Sequence, residues 1–341
     1  MGIIDILQSI IPAAIFFAAP LIFTALGGVF SERSGVVNIG LEGLMVMGAF
    51  VAIVSNLTLA GPLQRLDVWF DQSAPGFLSL LSFIQFGNLT PWIAILIAMI
   101  VSAIFSMVHA VASVSFRSDQ VVSGVALNFL ALGVSLFLVN QWYGKGQTDM
   151  VEVPFYTTEI LFLSDIPIIG PMFFTGYKTS YIAILLAFLV WFVIFKTPFG
   201  LRLRSVGEHP MASDTNGINV SRMRYTGVIL SGAFGGLGGA VYALTIAMNF
   251  SHATISGQGF MALAAMIFGK WHPLGAMGAG LFFGFAQSLS VVSSTIPFLQ
   301  NVPQVYLLIA PYVLTILALA GFIGRADAPK AIGTPYIKGS R

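Results

Sequence analysis

The stretch Lys196–Tyr225, KTPFGLRLRSVGEHPMASDTNGINVSRMRY, decides the fold because it is the only long polar, cation-rich interruption between strongly apolar segments. Lys196, Arg202, Arg204, Arg222 and Arg224 lie close to the two flanking apolar runs. Lys and Arg accumulate in loops on the cytoplasmic side of a membrane, so the loop 197–224 is expected to face the cytoplasm. Inside it, residues 209–217, HPMASDTNG, read as a short helix, since Pro is favoured at the first helical position and Gly just beyond the last. Such a helix is too polar for lipid and falls short of the roughly 12 to 15 residues that an isolated helix needs in water. A cytoplasmic partner is the simplest support for it.

Working outward, the chain is 57% hydrophobic and only 8% charged, against roughly 25% charged residues in an ordinary soluble domain. That composition predicts an all-α, polytopic transmembrane helical bundle. The 341 residues, at about 20 per span, give room for about eight to ten spans in a single membrane domain covering 1–341. A net charge of +2, with its residues scattered, offers no surface for nucleic acid. Cys is absent, which excludes disulfides and thiolate chemistry. The first apolar run carries Asp5 and no Lys or Arg before Arg33, so it lacks the basic start of a cleaved signal peptide and is read as a retained helix.

Hydropathy predicts nine segments, near 9–30, 36–58, 91–116, 120–140, 180–196, 225–248, 256–269, 273–292 and 303–324. With the loop 197–224 inside, the N-terminus falls outside and the C-terminus inside. Twelve of the fifteen Lys and Arg residues then lie inside, and only Arg65, Lys145 and Lys178 lie outside. Segment 256–269 is short and is expected to be a short or tilted crossing. The external loops 59–90 and 141–179 carry Asp67, Asp71, Asp149, Glu152, Glu159 and Asp165, and read either as solvated connections or as a docking surface for an external binding protein. Gly232-xxx-Gly236, Gly235-xxx-Gly239 and Gly280-xxx-Gly284 have the spacing that lets membrane helices approach closely.

Polar residues inside these apolar segments are the candidate site. In Ser31–Gly48, Asn38 and Glu42 are four residues apart and share a helix face. Glycines at 35, 40 and 43 predict a broken or partly unwound start to the second segment, of the kind transporters use around a cavity. An acid within a span costs about 2.5 to 3.5 kcal/mol on insertion scales and needs a partner or water. Glu42 therefore either accepts hydrogen bonds from a neighbouring broken helix or contacts solute. Asp119 stands where an N-cap is expected, and Gln120, Gly124, Asn128 and Ser135 recur at helical spacing as a polar stripe. That stripe either bonds across helices or lines a path.

Catalytic chemistry has no footing. Gly269–Lys270 lacks the rest of a phosphate-binding loop, the four His residues have no metal-ligand spacing, and no Ser, His and acid set is present. An ion-coupled transporter using Glu42 as its proton or sodium site is the rival of a different class.

The blocks SERSGVVNIGLEGLMVMGAF, SDQVVSGVALN, TPFGLRLRSVGEHPMASDTNGI, GQGFMALAAMIFGKWHPLGA and LALAGFIGRADAPKAIGTPY together resemble the permease subunits of bacterial ABC importers of the branched-chain amino acid and sugar permease family, most of all its nucleoside-importer branch. The resemblance covers nearly the whole chain. It implies a multi-pass permease of the bacterial inner membrane, not itself an enzyme, with ATP and Mg held on a separate cytoplasmic ATPase and no cofactor of its own. It also implies an extracytoplasmic solute-binding protein and a second, related permease, as a heterodimer or a homodimer. Gly207, Glu208, Pro210, Asp214 and Gly217 would belong to the element that couples to the ATPase. Nucleoside uptake is the implied activity, with a simple sugar or a branched-chain amino acid as alternatives.

Overall fold

A computed structural model describes residues 3–72, 85–159, 162–293 and 328–338, together with six single positions between 302 and 313. The helices, in chain order, are α1 (Ile3–Arg33), α2 (Leu41–Gln72), α3 (Phe86–Ala110), α4 (Gln120–Tyr143), α5 (Ile169–Phe173), α6 (Lys178–Lys196), α7 (Pro198–Glu208), α8 (Pro210–Thr215), α9 (Val220–Tyr242), α10 (Gln258–Phe268) and α11 (Pro273–Val292). Single π-turns extend α3 through Val111–Ser115 and α9 through Ala243–Ala247. Two three-residue strands, β1 (Thr157–Glu159) and β2 (Thr175–Tyr177), pair antiparallel beside α5.

Among the described residues, α1, α2, α3, α4, α6, α9 and α11 are long and apolar enough to cross a membrane, and α10 is an apolar helix of 11 residues. At about 1.5 Å per residue α10 spans only about half of a 30 Å hydrocarbon layer. Eight of the nine expected segments thus appear as helices; the ninth, 303–324, lies almost wholly outside the described residues. One boundary moves substantially. The stretch 59–72, expected in an external loop, continues α2 as helix. Asp67 accordingly sits on α2, where its carboxylate accepts from the amides of Phe86 (2.6 Å) and Gly87 (2.8 Å) and caps the start of α3.

The core is an inner group formed by α1, α2 and α9. Within their apolar windows 67%, 72% and 72% of residues are buried, whereas α4 buries only 22% and lies at the periphery. The glycine pairs make this inner group close. Gly232 and Gly236 on one face of α9 meet Ser106 and Ser102 of α3; Gly235 and Gly239 on another face meet Leu44 and Met45 of α2. Gly48 of α2 lies directly against the Gly236 backbone, and Gly280 and Gly284 of α11 pack on Ile22, Ala14 and Ala18 of α1. Lipid gives little hydrophobic drive for helix association, so van der Waals contact at this range supplies it.

The long connection after α4 folds back over the bundle. Thr148 donates its amide to Phe250 O (2.9 Å) and Val151 to Met248 O (2.8 Å), while Asn56 of α2 brackets Val153 by donating to its carbonyl (2.8 Å) and accepting from its amide (3.3 Å). Residues 147–155 thus cover the link from α9 to α10.

Gly239→Ala places a methyl group against the Met45 carbonyl, whereas Gly133 on α4 faces open space. We expect Gly239→Ala to cost about 1–3 kcal/mol and Gly133→Ala to be neutral, measured as the thermal midpoint of the purified protein in detergent. Equal midpoints would refute the close approach of α2 and α9.

Candidate functional site

The site is built around a break in the chain between α1 and α2. Helix α1 ends because Gly35 adopts φ +90°, a left-handed conformation that Gly takes without steric cost. The amide of Val36 then donates to Ser31 O (3.2 Å) and that of Gly35 to Glu32 O (3.0 Å), closing a Schellman-type stop. Residues 34–40 are non-helical before α2 starts at Leu41. Non-helical backbone within a bilayer persists only where protein or water satisfies its polar groups. Gln120 Oε1 accepts from Val37 N (2.7 Å), and His109 Nε2 lies 2.9 Å from Val37 O. Asn128 donates to Ile39 O (3.1 Å) and accepts from Gly43 N (2.7 Å). Gly124 lets the backbone of α4 lie against Ile39 and Gly40. Asn128 is eight residues into α4, about 12 Å along its axis, so the linker lies well inside the bundle.

Asn38 and Glu42 reach other helices. Asn38 is fully buried and donates to Ser231 Oγ of α9 (2.8 Å). Glu42 Oε1 accepts from Gly257 N (2.6 Å) and Oε2 from Gly259 N (2.7 Å), at the start of the half-length helix α10. A carboxylate there meets unpaired backbone amides and the positive end of the helix dipole. Gln258 and Gln287 pair beside this point at 3.2 Å. Gln120, Gly124 and Asn128 of the stripe are thus brought to the linker, whereas Asn38 and Glu42 do not share a helix face as expected: Asn38 lies in the non-helical linker and reaches α9, and Glu42, on α2, reaches α10. Ser135 lies apart, buried, with no partner for its hydroxyl among the described residues.

A second cluster joins the α1 end to the loop 197–224. The expected helix is present as α8, with Pro210 at its first turn. Gly217, φ +79°, ends it: Ile218 N donates to Ser213 O (3.0 Å) and Gly217 N to Asp214 O (2.9 Å), another Schellman-type stop. The preceding helix α7 was not anticipated, although Thr197-Pro198 has the same start signal; Thr197 Oγ1 accepts from Gly200 N (3.3 Å). Gly207 packs on the Arg33 backbone. Phe195 at the end of α6 lies between two cations, with Arg204 of α7 4.6 Å and Arg33 of α1 5.9 Å from its ring centre. Arg33 also donates to Trp271 O (2.9 Å), and the Trp271 indole donates to the buried Glu32 carboxylate. Burial, and then Arg33, lower the pKa of His272, whose ring centre lies 4.7 Å from that of Phe195.

His109, Ser231, Phe195 and Trp271 escaped the sequence reading because each is a lone residue in an apolar or mixed segment. Glu32–Arg33, an adjacent charged pair ending an apolar run, was a signal available to it.

Comparison with known proteins gives the arrangement its context. Residues 10–319 match the family described as branched-chain amino acid transport system / permease component. The chain is 60% identical to the guanosine ABC transporter permease protein NupQ of Bacillus subtilis, over 100% of both chains. It is 49% identical to the nucleoside ABC transporter permease protein NupC of Lactococcus lactis subsp. cremoris, over 99% of both. It is 24% identical to the guanosine ABC transporter permease protein NupP of Bacillus subtilis, over 84% of this chain and 74% of that one. No solved structure matches the chain. The family match over residues 10–319, with the 60% identity to NupQ over the full length, places this chain in the branched-chain amino acid transport system permease family.

Proposed function

We propose that this chain is the membrane permease of an ABC importer that moves nucleosides inward, driven by a separate ATPase that grips α8. The observation that carries the solute class is the 60% identity, over the full length, to a permease named for guanosine. The family implies the ATPase, which holds ATP and Mg, and an external solute-binding protein. A second, related permease is supported by one organism having two guanosine permeases, NupQ and NupP, that resemble this chain to very different degrees.

Force from the ATPase has a defined route in this reading. Helix α8 is six residues long and fixed at both ends, by Pro210 and by the stop at Gly217, so it moves as a unit. Gly207, Glu208 and Asp214 belong to the same joint, in which α7 is tied to α1 through Arg204, Phe195 and Arg33. A cleft beside α8, lined by Arg202, Arg222, Asn216 and Ile218, offers the ATPase two cations over an apolar floor. The break at 34–40 is where α1 and α2 can change their relative angle, and Gln120, Gly124, Asn128, Asn38 and Glu42 act as the splint that sets it. The ion-coupled alternative loses support because both Glu42 oxygens are engaged by backbone amides.

The loop 197–224 and the C-terminus face the cytoplasm and the N-terminus faces outward, in keeping with the distribution of Lys and Arg and with residues 331 and 333 lying against Gly207 and Gly35. In this Cys-free chain, Met150→Cys, at a site 70% exposed, is expected to react with an impermeant thiol reagent on intact cells, and Thr215→Cys only after permeabilisation. The reverse pattern would invert the topology.

Gly217 has open space around it, so only its backbone conformation resists substitution. Gly217→Val forces a β-branched residue to φ +79°, about 1–3 kcal/mol of strain, and is expected to lower guanosine uptake strongly while the protein still inserts. Gly217→Asn, which tolerates that conformation, is expected to retain uptake. Normal uptake in the Val variant would remove α8 from the coupling role.

Asn128→Leu leaves Gly43 N and Ile39 O without their partner, which costs about 1–3 kcal/mol per buried group. A splint predicts a lowered thermal midpoint together with lower uptake. Lower uptake at an unchanged midpoint would instead assign Asn128 to the solute path.

A further inference from the structure

The described part of the C-terminal tail, residues 328–338, crosses the joint where α7, the end of α1 and α9 meet. Ala331 N donates to Gly207 O at the end of α7 (2.9 Å), and Gly333 N donates to Gly35 O at the helix break (3.2 Å). Lys330 N lies 3.4 Å from a Glu208 carboxylate oxygen. Arg224, near the start of α9 and only 1% exposed, donates through Nη1 to Thr334 O (2.8 Å). Its Nη2 faces Gly35, and neither Nη2 nor Nε has another partner among the described residues. A buried guanidinium is costly unless its donors are met, so Arg224 favours the docked position of the tail through the Thr334 carbonyl. Tyr336 and Lys338 then line one cleft with Asp214 of α8 and with Asn219 and Ser221. Pro329 and Ala331 are buried, so the tail is packed into the molecule here rather than laid over it.

We propose that residues 329–336 form a strap that carries displacement of α7 and α8 to the α1–α2 break and to α9, with Arg224 as its anchor. This rests on the reading of α8 as the coupling helix. Backbone hydrogen bonds suit the task, because they are short and directional and involve few rotatable side chains. The strap adds hydrogen bonds to three helix ends that already touch: Gly207 of α7 lies on Arg33 and Gly35, and Gly227 of α9 lies on Phe30 and Ser34 at the end of α1. Without it the ATPase would still find α8, but α8 would move against a looser frame.

The test uses the assembled importer, reconstituted with its ATPase and binding protein, and compares guanosine taken up per ATP hydrolysed. Ala331→Pro removes the amide that Gly207 O accepts from, and deletion of 328–341 removes the strap. Both are expected to keep the ATPase co-purifying and hydrolysing within about twofold of the parent, while uptake per ATP falls about tenfold. An unchanged ratio in both variants would overturn the proposal. So would loss of the ATPase from the Ala331→Pro complex, since the strap would then belong to the docking surface. Failure of the coupling-helix reading shows separately, as normal uptake by Gly217→Val with the strap intact.

Discussion

A peptide group buried without a hydrogen-bond partner costs several kcal/mol, and that constraint governs the break between α1 and α2. Residues 34–40 leave helix inside the bundle, so their amides and carbonyls must find partners on other elements. They find Gln120 and Asn128 on α4 and His109 on α3, while Ser31 Oγ donates to Val36 O (2.8 Å) at the end of α1. The rest of the architecture follows from those partners. Helix α4, largely exposed along most of its length, is held to the bundle where it meets the linker. Helix α10 begins within the bundle, and Glu42 reaches across to close its open end. The chain break and the half helix thus satisfy each other's polar demand.

Close backbone contact is the complement of this polar arrangement. Glycines on α9 bring α2 and α3 to van der Waals range, and those on α11 do the same for α1. Packing of this density transmits displacement, because interiors at native density yield little to compression. The Phe195 clamp and the strap at 329–336 attach the loop 197–224 to that stiff group from two sides. The linker is held by the hydrogen bonds of Gln120, His109 and Asn128 and by the packing of Val36 against Ala110 and Val228.

Much of this was legible in the sequence. Composition and hydropathy gave an all-α membrane bundle and placed eight helices near their observed positions. The Pro and Gly that bracket 209–217 identified α8, and glycines at 35 and 40 marked the broken start of α2. Asn38, Glu42, Gln120 and Asn128 were recognisable because polar groups in apolar segments require partners. Which partners they take was not legible, since Glu42 pairs with amides 215 and 217 residues away. Helix α7 was absorbed into the loop because its charges masked a Thr-Pro start, and the helical continuation of α2 to Gln72 was read as loop because its last turns are polar. The tail was recognised as a sequence block, yet its docking on Gly35 and Gly207 depends on backbone groups that no side-chain pattern announces.

The central claim is that the loop 197–224 and the break at 34–40 form one mechanical unit. Hydrogen exchange on the assembled importer, with and without a non-hydrolysable ATP analogue, measures it directly. The account predicts that peptides covering 34–43 and 329–336 change their exchange together with those covering 207–217. A nucleotide response confined to 197–224, with 34–43 unchanged, would contradict it.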